Sequence, residues 1–435
     1  MKRREKSINN NIYILAFLAT VLCCVVLLIV AAMMPSGLVH INVCHSASML
    51  NGEGTYIRFA DYDASSQLDN WSESLILMES DLMRKDDMRT IFTNPLKSYS
   101  GNSTPTEVLY RYTQGETPEG TTSYNRYWMG FRGILRPLLS LLDLAQIRFY
   151  LAIAFFAMFA ALIVSITKQV GSAAAMMFAL SMIMVRPYVV GISLQFSCCF
   201  FIAFLAMMLA PWISEHEKYE GLFFMEIGML TMYFDFYTTP IVTFGMPAIY
   251  IYLLYTKKRK EYSIWRVLKN ASIWMGSYLA MWISKLLLTE LFTSESAFKP
   301  AFAKAMLWLG AGSYRSENYE YSPVLSLKTV LNAVACDKIS KMMLAFVFVA
   351  LVVTVAIEMR RAHLESRVVR MHLPLWVIAL LPIIWFAIAA EPTAVHFWFQ
   401  YRSVAVIIWA VGGFVTLFFE KQREETKNLV LPLEK

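Results

Sequence analysis

The amino-acid sequence predicts an all-α polytopic membrane protein, a single domain (residues 1–435) with about ten transmembrane helices. Of the 435 residues, 57% are hydrophobic and 16% are charged, and the mean hydropathy is +0.48. Long apolar segments with few charges are typical of membrane helices, which satisfy their own backbone hydrogen bonds in lipid. The net charge is +7, but the basic clusters flank apolar segments. This placement indicates anchoring at the inner membrane face rather than nucleic-acid binding.

The first apolar segment follows a basic N-terminus and runs from Ile12 to Met34. Its length of about 23 residues suits an uncleaved membrane-spanning helix and exceeds the apolar core of a signal peptide. The segment near 172–185 is short and precedes Pro and Gly residues, which is typical of a helix that lines a cavity. Nine further spans are predicted near 147–167, 172–185, 194–213, 221–236, 241–256, 268–290, 340–358, 374–390 and 403–420.

The distribution of charge between the predicted loops indicates the orientation of the chain, because cytoplasmic loops are rich in Lys and Arg. With ten spans and a cytoplasmic N-terminus, the basic segments 257–270 and 360–370 lie inside. The long segments 36–146 and 291–338 then lie outside, and the first of them carries nine Lys or Arg against thirteen Asp or Glu. We therefore expect a multi-pass protein of the cell membrane with cytoplasmic N- and C-termini.

The densest acidic cluster follows the first span, in the sequence DYDASSQLDNWSE at 61–73. A solvated loop explains such a cluster, and so does a catalytic site at the outer membrane surface. Asp69 and Asn70 are expected to begin a helix, because a side-chain oxygen there can accept hydrogen bonds from the free amides of the first turn. Residues at helical spacing form an apolar stripe expected to lie against the membrane, namely Trp71, Leu75, Met78 and Leu82.

A second segment of the first outer loop, YNRYWMGFRGILRPLL at 124–139, interleaves basic and aromatic residues. Arg126, Arg132 and Arg136 supply its positive charges. Such a pattern is typical of a helix that lies in the headgroup layer. It is equally typical of the segment that leads into the second span.

Charged residues inside or beside a membrane span are costly and are usually kept for function or for a paired partner. In the predicted topology these residues gather at the outer ends of the spans. Arginine suits an anionic lipid headgroup because its fork matches phosphate oxygens, and a nearby carboxylate suits general-base work. Simpler roles stay open, namely snorkelling for Lys285, an interfacial position for His396 and a helix-end anchor for Arg402. The residues are Arg186, Asp235, Lys285, Glu391, His396, Tyr401 and Arg402.

This layout resembles the GT-C superfamily of integral-membrane glycosyltransferases, which use polyprenyl-phosphate-linked sugars. Four segments look like parts of uncharacterised envelope proteins of Gram-positive bacteria, namely LDNWSESLIL (68–77), RYWMGFRGILRPLL (126–139), YFDFYTTPIVTFGMP (233–247) and HFWFQYRS (396–403). The resemblance implies an essential Asp in the first outer loop. The acid of the superfamily usually follows the first span closely, whereas the acids of this chain lie about thirty residues further along an extended reach.

The sequence thus favours a membrane glycosyltransferase that moves a sugar from a polyprenyl-phosphate donor to an extracytoplasmic cell-envelope glycan or glycolipid, with inversion. The expected base keeps a low pKa, because phosphate-binding cations stand nearby. Carboxylates could hold a divalent cation, although no ligand spacing demands a metal or another cofactor. The base is assigned to Asp69, with Asp61, Asp63 and Glu73 as further catalytic candidates. The donor phosphate is assigned to Arg186, Arg402 and Lys285, and the other site candidates are Asp235, His396 and Tyr401.

Three other functions fit a polytopic protein less well. A transporter or flippase for a lipid-linked sugar tends to contain internal repeats and polar residues at the membrane midplane, and the sequence shows neither pattern. A polysaccharide polymerase or ligase usually has its large outer loop late in the chain, whereas the larger loop is the first one here. A membrane scaffold without enzymatic activity leaves Asp235 unexplained. The sequence also lacks a phosphate-binding glycine loop, a HExxH motif and a nucleophile elbow.

Overall fold

The computed structural model describes residues 9–60, 63–101, 103–308, 322–365 and 372–430. This part of the chain is nearly all-α, as the sequence predicts. A small sheet of two strands is the addition that the all-α prediction lacked. Its strands β1 (Pro95–Ser98) and β2 (Gly120–Ser123) pair antiparallel, with Pro95 opposite Ser123.

The helices follow one another with short connections. The first group is α1 (Asn10–Ala32), α2 (Ser36–Glu53), α3 (Asn70–Leu82), α4 (Arg89–Thr93), α5 (Pro105–Thr113) and α6 (Arg132–Leu139). The second group is α7 (Leu144–Gln169), α8 (Ser172–Ile183), α9 (Pro187–Val190), α10 (Leu194–Glu215), α11 (Glu220–Phe234), α12 (Pro240–Lys257) and α13 (Ile264–Phe292). The third group is α14 (Phe298–Trp308), α15 (Pro323–Val334), α16 (Lys338–Glu365), α17 (Leu373–Ile388), α18 (Ala390–Val395), α19 (Phe397–Gln400) and α20 (Val404–Val430).

Each of the ten predicted spans coincides with a helix, but only six segments of the described residues are long and apolar enough to cross a membrane. The spans predicted near 172–185, 221–236 and 374–390 are helices of 12, 15 and 16 residues. The helix over 241–256 is α12, which is buried along its whole length from Pro240 to Tyr255. The six segments are Asn10–Ala32, Leu144–Gln169, Leu194–Glu215, Ile264–Phe292, Lys338–Arg360 and Phe397–Phe419.

The apolar surface of the bundle lies on the helices at its periphery. Leu15 and Leu22 on α1 are 69% and 63% exposed, and Met342 on α16 is 71% exposed. Such contiguous apolar exposure is rare on soluble proteins and is expected where lipid tails surround the helices. The buried α12 packs against α10, α17 and α20, and so forms the centre of the bundle.

The two ends of the bundle differ in what covers them. At one end, the segment between α1 and α7 packs onto helix termini, since Leu194 at the start of α10 donates its N–H to Glu73 over 3.0 Å. The same segment reaches Lys285 near the end of α13 through the carbonyl oxygen of Phe92. At the opposite end of α13, Arg266 pairs with Glu217 over 3.1 Å. We call the first of these ends the acidic-loop end.

The acids of the loop are placed by a short hairpin and by the start of α3. The N–H of Leu68 donates to the Ile57 carbonyl over 2.9 Å, and the N–H of Asn70 donates to the Thr55 carbonyl over 3.0 Å. Asp63 therefore lies beyond these bonds, towards the hairpin tip, while Asp69 lies beside them. The helix start predicted at Asp69 and Asn70 is confirmed, because α3 begins at Asn70 with Asp69 as its N-cap.

The remainder of α3 does not present the predicted stripe. Trp71 is 42% exposed, Met78 is buried, and the polar residues Glu79 and Ser80 are fully buried as well. The helix packs among α2, α5, α6 and β1, so most of its faces after the first turn are covered by protein. An apolar spacing identifies one buried face, but it does not show that neighbouring elements also enclose the polar faces.

The headgroup-layer interpretation of 124–139 is wrong for two of its three arginines. Arg132 and Arg136 are both fully buried. Arg136 donates to the carbonyl oxygen of Ala31 over 3.1 Å and to the hydroxyl of Ser36 over 3.0 Å, and so ties α6 to the corner between α1 and α2. Burying these cations is tolerable because main-chain oxygens replace their water.

Candidate active site

Asp69 stands at the acidic-loop end with a carboxylate that is only partly satisfied. Its side chain is 3% exposed and accepts hydrogen bonds from the N–H and the hydroxyl of Ser72, over 3.0 and 3.1 Å. Burial raises the pKa of Asp69 to about 6, although the bonds from Ser72 oppose the shift. The expectation of a low pKa is therefore wrong, because desolvation outweighs the neighbouring groups and no cation contributes appreciably. A carboxylate with such a pKa is ionised at neutral pH and can still take a proton.

Aromatic side chains surround this carboxylate. The Trp398 indole lies near Asp69 and lowers its pKa slightly, and the Nε1 atom of Trp398 has no hydrogen-bond partner among the described residues. The ring of Tyr56, which is 42% exposed, packs edge-on to Trp398 at 5.5 Å. The neighbourhood of Asp69 thus combines an open aromatic face with an unused donor.

His396 extends this group by one residue. Its ring lies 5.3 Å from that of Trp398, and its Nδ1 atom is also without a partner among the described residues. Burial lowers the pKa of His396 to about 4, and the positive charge of Lys304 acts in the same direction. The imidazole is therefore neutral at pH 7 and can exchange a hydrogen bond with a bound hydroxyl group.

Glu73, one turn further along α3, is fully committed to a buried ion pair. Arg148 donates to its Oε2 atom from Nη2 over 2.8 Å, and the N–H of Leu194 donates to its Oε1 atom over 3.0 Å. The same guanidinium also binds Glu53 over 2.9 Å and the side-chain oxygen of Asn70 over 2.8 Å. Glu73 therefore joins α3 to α2, α7 and α10, and its structural bonds leave it unsuited to proton transfer.

Asp63 takes part in a different network, centred on Arg186. The Nε atom of Arg186 donates to Asp63 over 3.1 Å, and its Nη2 atom donates to Asp337 over 2.6 Å and to the Cys336 sulfur over 2.6 Å. Arg186 has a φ of +57°, a left-handed conformation that is costly outside glycine and persists where the surroundings hold it. This network links the hairpin tip to the ends of α8 and α15.

Three side chains of the same network could in principle ligate a metal ion. Asp63, Cys336 and Asp337 offer ligand atoms within 4.8 Å of one another. The guanidinium of Arg186 already supplies positive charge to both carboxylates, and burial raises the pKa of the Cys336 thiol to about 11. This donor set fits the guanidinium better than a divalent cation, so the residues present do not call for a metal.

The other two proposed phosphate ligands are fully buried. Arg402 donates to the carbonyl oxygens of Val185 and Trp398 over 3.1 and 2.7 Å, and to that of Ser65 over 3.2 Å. It shares a neighbourhood with Arg186, since both act on Tyr401. The expectation that Arg402 is an exposed phosphate ligand meets a structure in which its charge is enclosed by main-chain oxygens.

Lys285 lies in a separate cluster and does not join Arg186 and Arg402. It is buried on α13 and donates to the Phe92 carbonyl, so it does not snorkel to a membrane surface. Arg132 and Glu79 are its charged neighbours. Burial raises the pKa of Glu79 to about 8, which keeps this carboxyl largely protonated at neutral pH.

The remaining sequence candidates have local roles. Asp235 accepts from the N–H of Thr238 over 3.0 Å and closes the turn between α11 and α12. Tyr401 is buried, and its ring lies 5.2 Å from the guanidinium of Arg402. Glu391 pairs with Lys304 over 3.7 Å. Asp61 lies outside the described residues.

Sequence reasoning missed Tyr56, Trp398, Arg126 and Lys304 as members of this region. Trp398 lies within the quoted segment HFWFQYRS, so a search for aromatic residues beside the outer polar cluster could have found it. Arg126 and Lys304 come together only through the fold. Comparisons of the chain with protein-family models, with curated proteins and with solved structures found no match. The likeness to GT-C enzymes therefore depends on the quoted segments and on the layout of the helices.

Proposed function

We propose that the protein is a membrane glycosyltransferase of the GT-C type, which moves a sugar from a polyprenyl-phosphate donor to an extracytoplasmic cell-envelope glycan or glycolipid. The observation that carries this proposal is Asp69, a buried carboxylate with a pKa of about 6 and two hydrogen bonds, both from Ser72. The neighbouring Tyr56 is exposed, so a substrate can approach. Of the acids with described side chains in the 61–73 cluster, Asp69 is the one free of an ion pair.

The chemistry assigned to Asp69 is general-base catalysis. An acceptor hydroxyl gives its proton to the Asp69 carboxylate while its oxygen attacks the anomeric carbon of the donor sugar. The bond from that carbon to the phosphate oxygen breaks, and polyprenyl phosphate leaves with the bonding electron pair. Direct displacement inverts the anomeric centre. A positioned base typically accelerates such a step by about 10²–10⁴-fold.

Arg186 remains the donor-phosphate ligand of this proposal. Its Asp337 partner is 22% exposed, and a lipid phosphate could replace that carboxylate while Asp63 keeps its bond to Nε. Arg402 supports this position by fixing the hairpin through Ser65, and Lys285 serves the fold elsewhere. Arg186→Ala should then weaken donor binding, whereas Asp337→Asn should not weaken it, because removing a competing acid frees the guanidinium.

The topology proposed is ten spans with the acidic-loop end outside and both termini in the cytoplasm. It is supported by the convergence of segment 36–146 on the predicted outer termini of α8, α10, α13 and α20. Single-cysteine labelling in a cysteine-free background tests it. An impermeant maleimide should label Gly115→Cys and spare Lys260→Cys in intact cells, and the reverse pattern would contradict the orientation.

The transfer assay tests the function itself. Purified protein in lipid nanodiscs is incubated with radiolabelled polyprenyl-phosphate sugars and with envelope glycans, and the label transferred to glycan is counted. We expect transfer by the wild type and its loss in Asp69→Asn. Passage of intact donor across sealed vesicles without transfer would instead identify a lipid-linked-sugar transporter. Equal transfer by both proteins would remove the support that Asp69 gives.

A further inference from the structure

A group of half-buried aromatic residues lies at the acidic-loop end, and we call it the aromatic cluster: Tyr124, Tyr127, Phe236, Tyr237 and Trp308. Tyr237 and Trp308 stack at 4.1 Å, and Tyr127 lies 6.3 Å from Trp308 and 5.1 Å from Phe236. The members come from the first outer loop, the turn after α11 and the end of α14. None of them is fully buried, so their rings are accessible from outside the protein.

Two cations lie against this cluster. The guanidinium of Arg126 stands 4.4 Å from the ring of Tyr124, and its Nε atom has no hydrogen-bond partner among the described residues. The ammonium of Lys304 stands 5.6 Å from the ring of Trp308 and 3.7 Å from the carboxylate of Glu391. Burial lowers the pKa of Lys304, and the nearby charge of Arg126 lowers it further. Two cations that repel each other share one acid, so an additional anion would be bound favourably.

The aromatic cluster adjoins the candidate base through a short series of contacts. Lys304 acts electrostatically on His396, whose ring packs on Trp398, and Trp398 lies near Asp69. Gln400, which follows shortly after Trp398, donates to the Tyr237 carbonyl over 2.9 Å. A ligand on the cluster would therefore lie on the same side of the bundle as the carboxylate of Asp69.

We propose that the aromatic cluster binds an acidic sugar residue of the acceptor glycan. The apolar CH face of a sugar ring can pack on the rings of Tyr237 or Trp308, and aromatic faces with a few placed polar groups are typical of ligand sites. The carboxylate or phosphate of the sugar would bind Arg126 and Lys304, and Glu391 would accept from its hydroxyl groups. This assignment rests on the proposed function for the word acceptor, but the binding itself does not require Asp69.

Calorimetric titration of the full-length protein in lipid nanodiscs tests the proposal without any donor. Tetragalacturonate is the acidic probe, and maltotetraose is a neutral probe with the same number of sugars. We expect the acidic probe to bind about tenfold or more tightly than the neutral one, because a charge-assisted contact is lost with the carboxylates. Raising the salt concentration should weaken its binding, since half-buried cations are partly screened.

Matched variants locate the binding. Arg126→Gln and Lys304→Gln should remove most of the preference for the acidic probe, and Trp308→Ala should weaken the binding of both probes. Lys299→Gln on the exposed face of α14 and Trp265→Ala, where the wild-type side chain is 79% exposed, should bind like the wild type. Thermal unfolding of each variant identifies any that fail to fold, and the salt titration of the wild type then decides the charge dependence.

Several results would overturn the proposal. These are equal binding of the two probes, no binding of either, and an acidic preference that survives Arg126→Gln together with Lys304→Gln. Farnesyl phosphate serves as a lipid phosphate without sugar. If it displaces tetragalacturonate and depends on the same two cations, the cluster recognises the lipid phosphate and not a sugar. All of these readouts are binding constants, so their failure is separate from a failure of sugar transfer, which depends on Asp69.

Discussion

Asp69 and Glu73 lie one turn apart at the start of α3, and both are buried, yet their surroundings differ in kind. Glu73 is bound by Arg148 and by the N–H of Leu194, and its guanidinium partner is shared with Glu53. Asp69 accepts two hydrogen bonds, both from Ser72, and no cation forms an ion pair with it in the described part of the chain. One carboxylate is therefore held in place by its partners, and the other keeps capacity for a substrate.

The comparison shows that burial alone does not identify a catalytic acid. A buried carboxylate that is paired stabilises its neighbours, whereas a buried carboxylate with few partners is left with a raised pKa and costs stability. Such unfavourable groups are found where function maintains them. The two residues should therefore respond in opposite directions when each is replaced by its amide.

The largest effect on stability is expected for Glu73→Gln. The change leaves the guanidinium of Arg148 buried with one acid instead of two, and breaking a buried pair of this kind typically costs about 3–5 kcal/mol. Denaturant or thermal unfolding in detergent measures the loss. Glu53→Gln is the matched control with a smaller expected loss, because Glu53 is 23% exposed and Arg148 keeps Glu73. A stability loss for Glu73→Gln no greater than for the control would refute the structural role of Glu73.

Asp69→Asn should instead stabilise the protein at pH 7, by about 2 kcal/mol. The folded-state pKa of about 6 exceeds the ordinary value of an Asp, so the folded protein binds the additional proton between about pH 4 and pH 6. The contribution of Asp69 to stability is therefore full below about pH 4 and is lost as the pH rises through about 6. Unfolding free energies of both proteins from about pH 4 to pH 8 should diverge across this window. Parallel curves would show that the pKa of Asp69 is not raised.

Asp63→Asn should have an intermediate effect. Arg186 loses one carboxylate and keeps Asp337, so we expect a loss of about 1–2 kcal/mol in the free energy of unfolding. A double-mutant cycle with Asp337→Asn measures the coupling between the two acids through Arg186. Additive losses would contradict the shared network, because residues bound to one guanidinium are expected to couple.

The smallest effect is expected for Trp71→Ser, at a position between the two compared acids. Trp71 is 42% exposed, and substitution of a surface side chain usually changes stability by less than about 0.5 kcal/mol. The variant therefore serves as a baseline for the changes at Asp69 and Glu73. A loss comparable to that of Glu73→Gln would instead place Trp71 in a contact outside the described protein, such as the membrane predicted for its stripe.

The features that the sequence predicted well are those that depend on local patterns. The start of α3 followed from the capping chemistry of Asp69, and each predicted span lies on a helix because apolar runs of sufficient length favour helices in lipid. The number of membrane crossings did not follow as directly. The central α12 is apolar because protein surrounds it, and composition does not distinguish protein from lipid as the apolar surroundings.

The residues that sequence reasoning misplaced are those whose partners are distant in the chain. Arg402 and Lys285 sit at helix ends, as a phosphate ligand would, but the carbonyl groups that enclose them come from Ser65 and Phe92. Arg126 and Lys304 are 178 positions apart and meet only because α14 packs at the acidic-loop end. A charge near a span end is compatible with a structural or a functional role, and its tertiary partners decide between the two.

The most direct test of the central claim is the rate of sugar transfer by the wild type and by Asp69→Asn as a function of pH, with donor binding measured in parallel. The proposal predicts that the wild-type rate rises with pH and levels off above about 6, as the base becomes ionised. It predicts that Asp69→Asn binds donor normally and transfers sugar about 10²–10⁴-fold more slowly at every pH. Transfer by Asp69→Asn at the wild-type rate, with the same dependence on pH, would contradict the assignment of Asp69 as the base.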